Sequence, residues 1–174
     1  MVLDDKERAL MDFIGRYKSA IVAFSGGVDS SYLAFVSNRV LGDRARAVTA
    51  ISPSVSERQQ ELGRYFVRTH GLNHTVIGTR EMENPRYTSN QSDRCYFCKA
   101  ELMDVVSGHL DRLAPGARVA TGTNADDLVA GFRPGIRAAA QRRAVTPLAD
   151  AGLTKEQIRA QAQAWGLTVW DKPQ

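Results

Sequence analysis

The chain has 174 residues, 43% of them apolar, a formal net charge of +4 and an isoelectric point near 9.3. That length makes one domain with a substantial core. No stretch approaches a membrane span, and the start Met1-Val2-Leu3-Asp4-Asp5-Lys6-Glu7 carries no apolar signal; with its two cysteines three apart, this predicts a reducing cytoplasmic location rather than a disulfide framework. The basic balance favours anionic ligands, while aromatics at 7% with no interleaved basic stripe disfavour nucleic acid.

Leu10, Phe13, Ile14 and Tyr17 recur at helical spacing and predict a helix over 3–18. The run Ala20-Ile21-Val22-Ala23-Phe24 predicts a strand over 20–25, followed by a helix over 30–41 with Leu33, Val36, Val40 and Leu41 on one side. A strand over 45–52, a helix over 56–70 and a strand over 74–79 come next. An Asn-, Pro- and Ser-rich loop covers 80–93. Leu102, Val105, Val106, Leu110 and Leu113 mark a helix over 94–113, ahead of a fourth strand over 117–122. Residues 124–143 read as helical only in part. Thr154-Lys155-Glu156-Gln157 is a capping box opening a helix that ends at Gly166, and Leu167 to Trp170 reads as a short fifth strand. This alternation predicts an α/β fold, with a doubly wound, mostly parallel five-stranded sheet and helices on both faces.

Ligands in such sheets bind beyond the carboxyl ends of the strands. That rule selects the turn after Phe24, Ser52-Pro53-Ser54, Gly122-Thr123-Asn124 and Asp171-Lys172-Pro173. The first is Ser25-Gly26-Gly27-Val28-Asp29-Ser30-Ser31. Its glycines permit a sharp turn and close backbone approach, and the helix behind it opens with unpaired N–H groups and a positive dipole end. Asp29 would repel a bare phosphate, so a counter-cation such as Mg²⁺ is expected beside it. The motif has neither a Walker A Gly-Lys end nor a dinucleotide fingerprint.

Gly122-Thr123-Asn124-Ala125-Asp126-Asp127 offers polar ends and paired carboxylates for a shared cation, or else an N-cap with first-turn acids. Arg133 and Arg137 lie four apart and suit an anion, whereas Arg142 and Arg143 read as a solvated basic face. Cys95 and Cys98 either pack in the core or join a metal site or cluster, for which the chain has no second cysteine pair. Lys172 either reaches a pyrophosphate or sits on a frayed terminus.

Ser25-Gly26-Gly27-Val28-Asp29-Ser30 resembles the PP-loop of the ATP pyrophosphatases, which split ATP into AMP and pyrophosphate. With Asp93-Arg94-Cys95-Tyr96-Phe97-Cys98-Lys99, the Gly122–Asp127 segment, Arg133-Pro134-Gly135-Ile136-Arg137, Pro147-Leu148, Ala151–Lys155 and Trp170-Asp171-Lys172-Pro173, the order is similar to that of the ATP-dependent sacrificial sulfur transferases that mature the nickel-pincer cofactor of lactate racemase. The resemblance runs from about residue 15 to the end.

It implies an adenine nucleotide alpha hydrolase-like domain over 1–174 that adenylates a carboxylate on a pyridinium mononucleotide. ATP would sit on Ser25, Gly26, Gly27, Asp29, Ser30, Ser31, Ser52, Gly122, Thr123 and Asn124, and Mg²⁺ on Asp29 and Asp126. Asp29 and Lys172 would be catalytic, and Arg133, Arg137 and Asp127 would hold the substrate. In that family the sacrificial cysteine and a further domain follow the Trp-Asp-Lys-Pro segment, whereas this chain ends at Gln174. It is expected to be a truncated form or to lack the donor, adenylating without sulfur transfer. The alternatives are an amidotransferase-type synthetase, a tRNA thiolation enzyme, or a non-catalytic ATP-binding module. A homo-oligomer stays open.

Overall fold

The computed structural model describes residues 4–53, 55–79, 83, 85, 94–113, 116–131 and 133–173. Asp4 caps the first helix, α1 (Asp5–Gly15), by accepting from the Glu7 N–H at 2.8 Å. The strand β1 (Ala20–Ala23) is buried along its whole length, as expected for a central parallel strand covered on both faces. It leads into α2 (Val28–Leu41), two residues longer at its start than its apolar pattern predicts. A 3₁₀ turn (Gly42–Arg44), β2 (Ala45–Ile51), α3 (Glu57–Thr69) and β3 (His74–Gly78) follow. After them come α4 (Arg94–Leu113), β4 (Arg118–Ala120), α5 (Ala125–Val129), α6 (Pro134–Gln141), α7 (Pro147–Asp150) and α8 (Lys155–Ala164).

The four strands pair in parallel in the order β3-β2-β1-β4. Chain order runs outward from β1 to β3, then returns to the other side of β1, so the switch point lies between β1 and β4. Alternate side chains of β1 feed two apolar layers. Ala20 and Val22 pack with α1, α2 and α8, and Ile21 and Ala23 pack with Leu102, Met103 and Val106 of α4. Helices thus cover both faces, as the alternation predicts.

The fifth strand does not form. Gly166 adopts φ +74 and the Leu167 N–H donates back to the Ala162 carbonyl at 2.9 Å, closing α8. Leu167 is fully buried in the helical layer. Residues 167–172 then wind through turns, with Trp170 N–H on the Leu167 carbonyl at 3.3 Å and Lys172 N–H on the Val169 carbonyl at 3.1 Å. The position beside β4 is taken by one parallel bridge from Ala120 to Val145. Among the described residues no helix is long and apolar enough to cross a membrane.

Candidate active site

The turn after β1 is built on its own serines. The Ser25 N–H donates to Ser30 Oγ at 3.1 Å, the two hydroxyls meet at 3.0 Å, and the Gly27 N–H reaches Ser25 Oγ at 3.3 Å. Gly26 takes φ +81, a conformation that favours glycine. Gly27 is the N-cap of α2 and supplies no side-chain cap. By contrast Asp4, Ser56, Asn124 and Thr154 cap α1, α3, α5 and α8 with their side chains. The first N–H groups of α2 therefore face the loop with no side chain closing them off.

Beyond this loop lies a cleft of about 540 Å³ at the carboxyl ends of β1 and β4. Ser25, Gly27, Asp29 and Ser30 line one side, and Thr121, Gly122, Thr123 and Asp127 the other. Lys99, Arg133, Lys155 and Lys172 surround it, so four cations face two carboxylates. An added Cβ at Gly122 would stand 2.9 Å from the Ser30 nitrogen and 3.2 Å from the Asp29 carbonyl carbon. A glycine is needed there because the segment leaving β4 passes directly over the first turn of α2.

Asp29 lies in the cleft with its carboxylate split between two environments. Its Oδ2 accepts from Lys155 Nζ at 2.5 Å, while its Oδ1 is buried without a partner. Burial is the largest influence and raises the carboxyl above its ordinary value of 3.8; Lys155 pulls the other way and Asp127 adds to the rise. A buried carboxylate oxygen left without a hydrogen-bond partner on a residue that lines the cleft suits a hard cation such as Mg²⁺. Among the described residues no three His, Cys, Asp or Glu side chains gather to hold a metal, so such an ion would draw its other ligands from phosphate and water.

The remaining expected residues divide. Thr123 lines the cleft. Asn124 is a reciprocal cap with Asp127, its Oδ1 taking the Asp127 N–H at 3.1 Å and Asp127 Oδ2 taking the Asn124 N–H at 3.0 Å. Asp126 does not line the cleft; its Oδ2 accepts from the Lys155 N–H at 2.8 Å and fixes the start of α8. Ser52 is buried and does not line the cleft, its carbonyl closing a turn to the Val55 N–H. Ser31 is fully buried, its hydroxyl without a partner.

Arg133 reaches the cleft and lies 3.9 Å from Asp127. Arg137 lines a separate concavity of about 340 Å³ that Arg133 shares. Arg142 is not a solvated base, since its guanidinium forks onto Asp104 of α4 at 2.8 and 3.3 Å and ties α6 to α4. The side chains of Cys95 and Cys98 lie outside the described residues, as does most of the loop expected over 80–93.

Lys172 is not frayed. Its Nζ donates to the Gly26 carbonyl at 3.0 Å. Lys155 and Lys99 are cations of the cleft to which the sequence reading assigned no role. The capping box placed Lys155 at the first position of α8, but nothing local says that this helix end meets α2. On the far side of Ser25 and Lys99 a second, mostly apolar cavity of about 280 Å³ is walled by Phe24, Ile51, Val55, Gly63, Val76 and Leu102. His74 also lines it; burial, then Arg46 and Arg64, hold its imidazole below the usual value.

No protein-family model matches the chain. It is 42% identical over 173 residues to the uncharacterized protein slr1717 of Synechocystis sp.. It is 27% identical over 175 residues to the pyridinium-3,5-bisthiocarboxylic acid mononucleotide synthase of Lactiplantibacillus plantarum. The two alignments take in 99% and 98% of this chain but only 63% and 61% of those relatives. Among solved structures, the NH3-dependent NAD synthetase of Campylobacter jejuni superposes with a TM-score of 0.76 at 18% identity, over 95% of this chain and 75% of that one. The NMN synthetase of Francisella tularensis gives 0.76 at 14% identity, over 98% and 74%. The serine-bound glycine loop, the uncapped α2 and the cleft at the β1–β4 switch point are thus carried on the parallel α/β fold of these synthetases.

Proposed function

We propose that this domain binds ATP with Mg²⁺ and splits it between the α- and β-phosphates to adenylate a carboxylate on a small pyridinium mononucleotide. The observation that carries the reading is the convergence of Lys155, Lys172 and the uncapped start of α2 on one glycine loop. The apolar cavity sharing Ser25 and Lys99 with the polar cleft suits a purine, which leaves the triphosphate for the cationic arm. Arg133, on the cleft, and Arg137, in the neighbouring concavity that Arg133 shares, suit the carboxylate acceptor.

Chemically, a carboxylate is a poor acyl donor, and an acyl-adenylate gives it AMP as leaving group. The N–H groups at the start of α2, with Lys155 and Lys172, would hold the pyrophosphate as charge develops on it. Asp29 would hold the cation, which when bound offsets phosphate charge. Lys155 occupies Asp29 without ligand, so its ammonium is placed to turn from the carboxylate to a phosphate oxygen. Sulfur transfer would then follow from a cysteine outside residues 1–174. This product class is supported by the name of the Lactiplantibacillus relative.

A second reading is an amide-forming synthetase on the same adenylate, favoured by the likeness to NAD and NMN synthetases. Phosphorus NMR of the chain with ATP, Mg²⁺ and a pyridinium dicarboxylate mononucleotide tests both. AMP and pyrophosphate that require the acceptor are expected. ADP, or no turnover with every carboxylate offered, overturns adenylation. Amide formed on adding ammonia selects the second reading.

A further inference from the structure

We infer that Arg159, which does not itself line the cleft, is the positioning residue that fixes Lys172 at the glycine loop. Resting on the phosphate role given to Lys172 above, this goes on to say why that lysine is held. Arg159 lies one turn into α8, four residues after Lys155. Its guanidinium forks onto two carbonyls of the segment that follows, Trp170 at 2.7 Å and Lys172 at 2.8 Å. Those carbonyls belong to the turns closed by Trp170 N–H on Leu167 and Lys172 N–H on Val169. From the gripped turn, Lys172 Nζ reaches the Gly26 carbonyl at 3.0 Å.

Trp170 and Asp171 are exposed and form no strand, so the sheet does not anchor this stretch. A free segment would leave Lys172 with the full rotamer entropy of a solvated lysine. A planar fork with two parallel donors removes that freedom, and a lysine with one point of attachment does not. Because Lys155 and Arg159 share α8, one helix sets both cations against the loop. One presents its own ammonium; the other places the ammonium of a residue 13 positions on.

The test compares the full chain with Arg159→Gln, Arg159→Lys and Lys172→Met, alone and combined. Without any ligand, lysines are acylated sparingly and read by peptide mass spectrometry. In Arg159→Gln and Arg159→Lys the Lys172 acylation rate should rise about tenfold while Lys155, held by Asp29, stays unchanged and serves as internal control. ATP affinity should fall about tenfold in Arg159→Gln and in Lys172→Met, and no further in the double variant, because the two residues act through one contact.

Unchanged Lys172 reactivity overturns the inference, as do losses that multiply in the double variant. So does full rescue by Arg159→Lys, which would show that charge alone is needed. Should Arg159→Gln fail to fold, Arg159→Lys keeps stem and charge and still lacks the fork. If the unmodified chain binds no ATP, the phosphate reading falls while the acylation rates still decide the role of Arg159.

Discussion

Lys155 and Asp29 lie 126 residues apart in the chain and 2.5 Å apart in the fold. Both side chains are about four-fifths buried, at 20% and 19% exposure, so the pair is shielded from the screening that makes surface ion pairs weak. It leaves Asp29 Oδ1 unpartnered at the entrance to α2. The result is a charged site already desolvated at the place where charge must be handled.

Replacing Asp29 by Asn removes a carboxylate whose ionisation is opposed by burial. A carboxyl with a folded value above its ordinary 3.8 binds more protons folded than unfolded within that window. Its contribution to stability therefore falls as pH rises from the ordinary value through the raised one. The Asn variant should lack that decline and melt within a few degrees of the parent at neutral pH, while Mg-dependent ATP turnover falls by about 10² or more. Thermal melts across pH, beside pyrophosphate release, check both. Unchanged turnover would remove Asp29 from the site.

Gly122→Ala places a methyl 2.9 Å from the Ser30 backbone nitrogen, where no flexible side chain can yield. Overpacking of this kind costs about 1–3 kcal/mol. The shift must move the end of β4 or the start of α2, so ATP affinity should fall together with the denaturant midpoint. Parent-like values of both would mean that the two segments separate easily.

Gly63 lies in α3 on the wall of the apolar cavity, with an added Cβ only 3.5 Å from Phe24 Cε1. Gly63→Leu should fill the space assigned to the base. Calorimetry is expected to show ATP binding weakened about tenfold or more with pyrophosphate binding unchanged. Equal losses for both ligands would place the base elsewhere.

Tyr32 is fully buried, and its hydroxyl donates to Glu7 Oε1 at 2.8 Å. The same oxygen accepts from Trp165 Nε1 at 2.6 Å, joining α1, α2 and the end of α8. Burial, then Glu7, push the phenol above its usual range, so it stays a donor. Tyr32→Phe should lower stability by about 1–3 kcal/mol in urea unfolding by leaving Glu7 short of a partner. ATP affinity should hold, since the network lies behind α2.

Local pattern was enough for most of the elements. Burial of β1 on both faces shows as an unbroken apolar run, and Thr154 with Gln157 marks the start of α8 because capping is a contact between residues three apart. The glycine loop was equally legible, since positive φ at Gly26 and an open helix start are properties of a few adjacent residues. The expected strand at 167–170 failed because the Leu167 N–H is already used by the end of α8, and pairing needs a neighbour that composition does not reveal. Asp126 and Asp127 are adjacent and alike in sequence. Only the tertiary placement of α5, packed on α7 and meeting the first residue of α8, turns the first to a backbone N–H and the second to the cleft.

The sequence alone therefore determined what depends on neighbours along the chain: the periodicities, the caps, the glycine turn and the alternation that makes a parallel sheet. The tertiary structure decided which distant charges meet there. Lys155, Lys172 and Arg159 acquire their partners from segments up to 146 residues away. Coulombic and hydrogen-bond energies depend on distance in space, and one-dimensional order does not carry it.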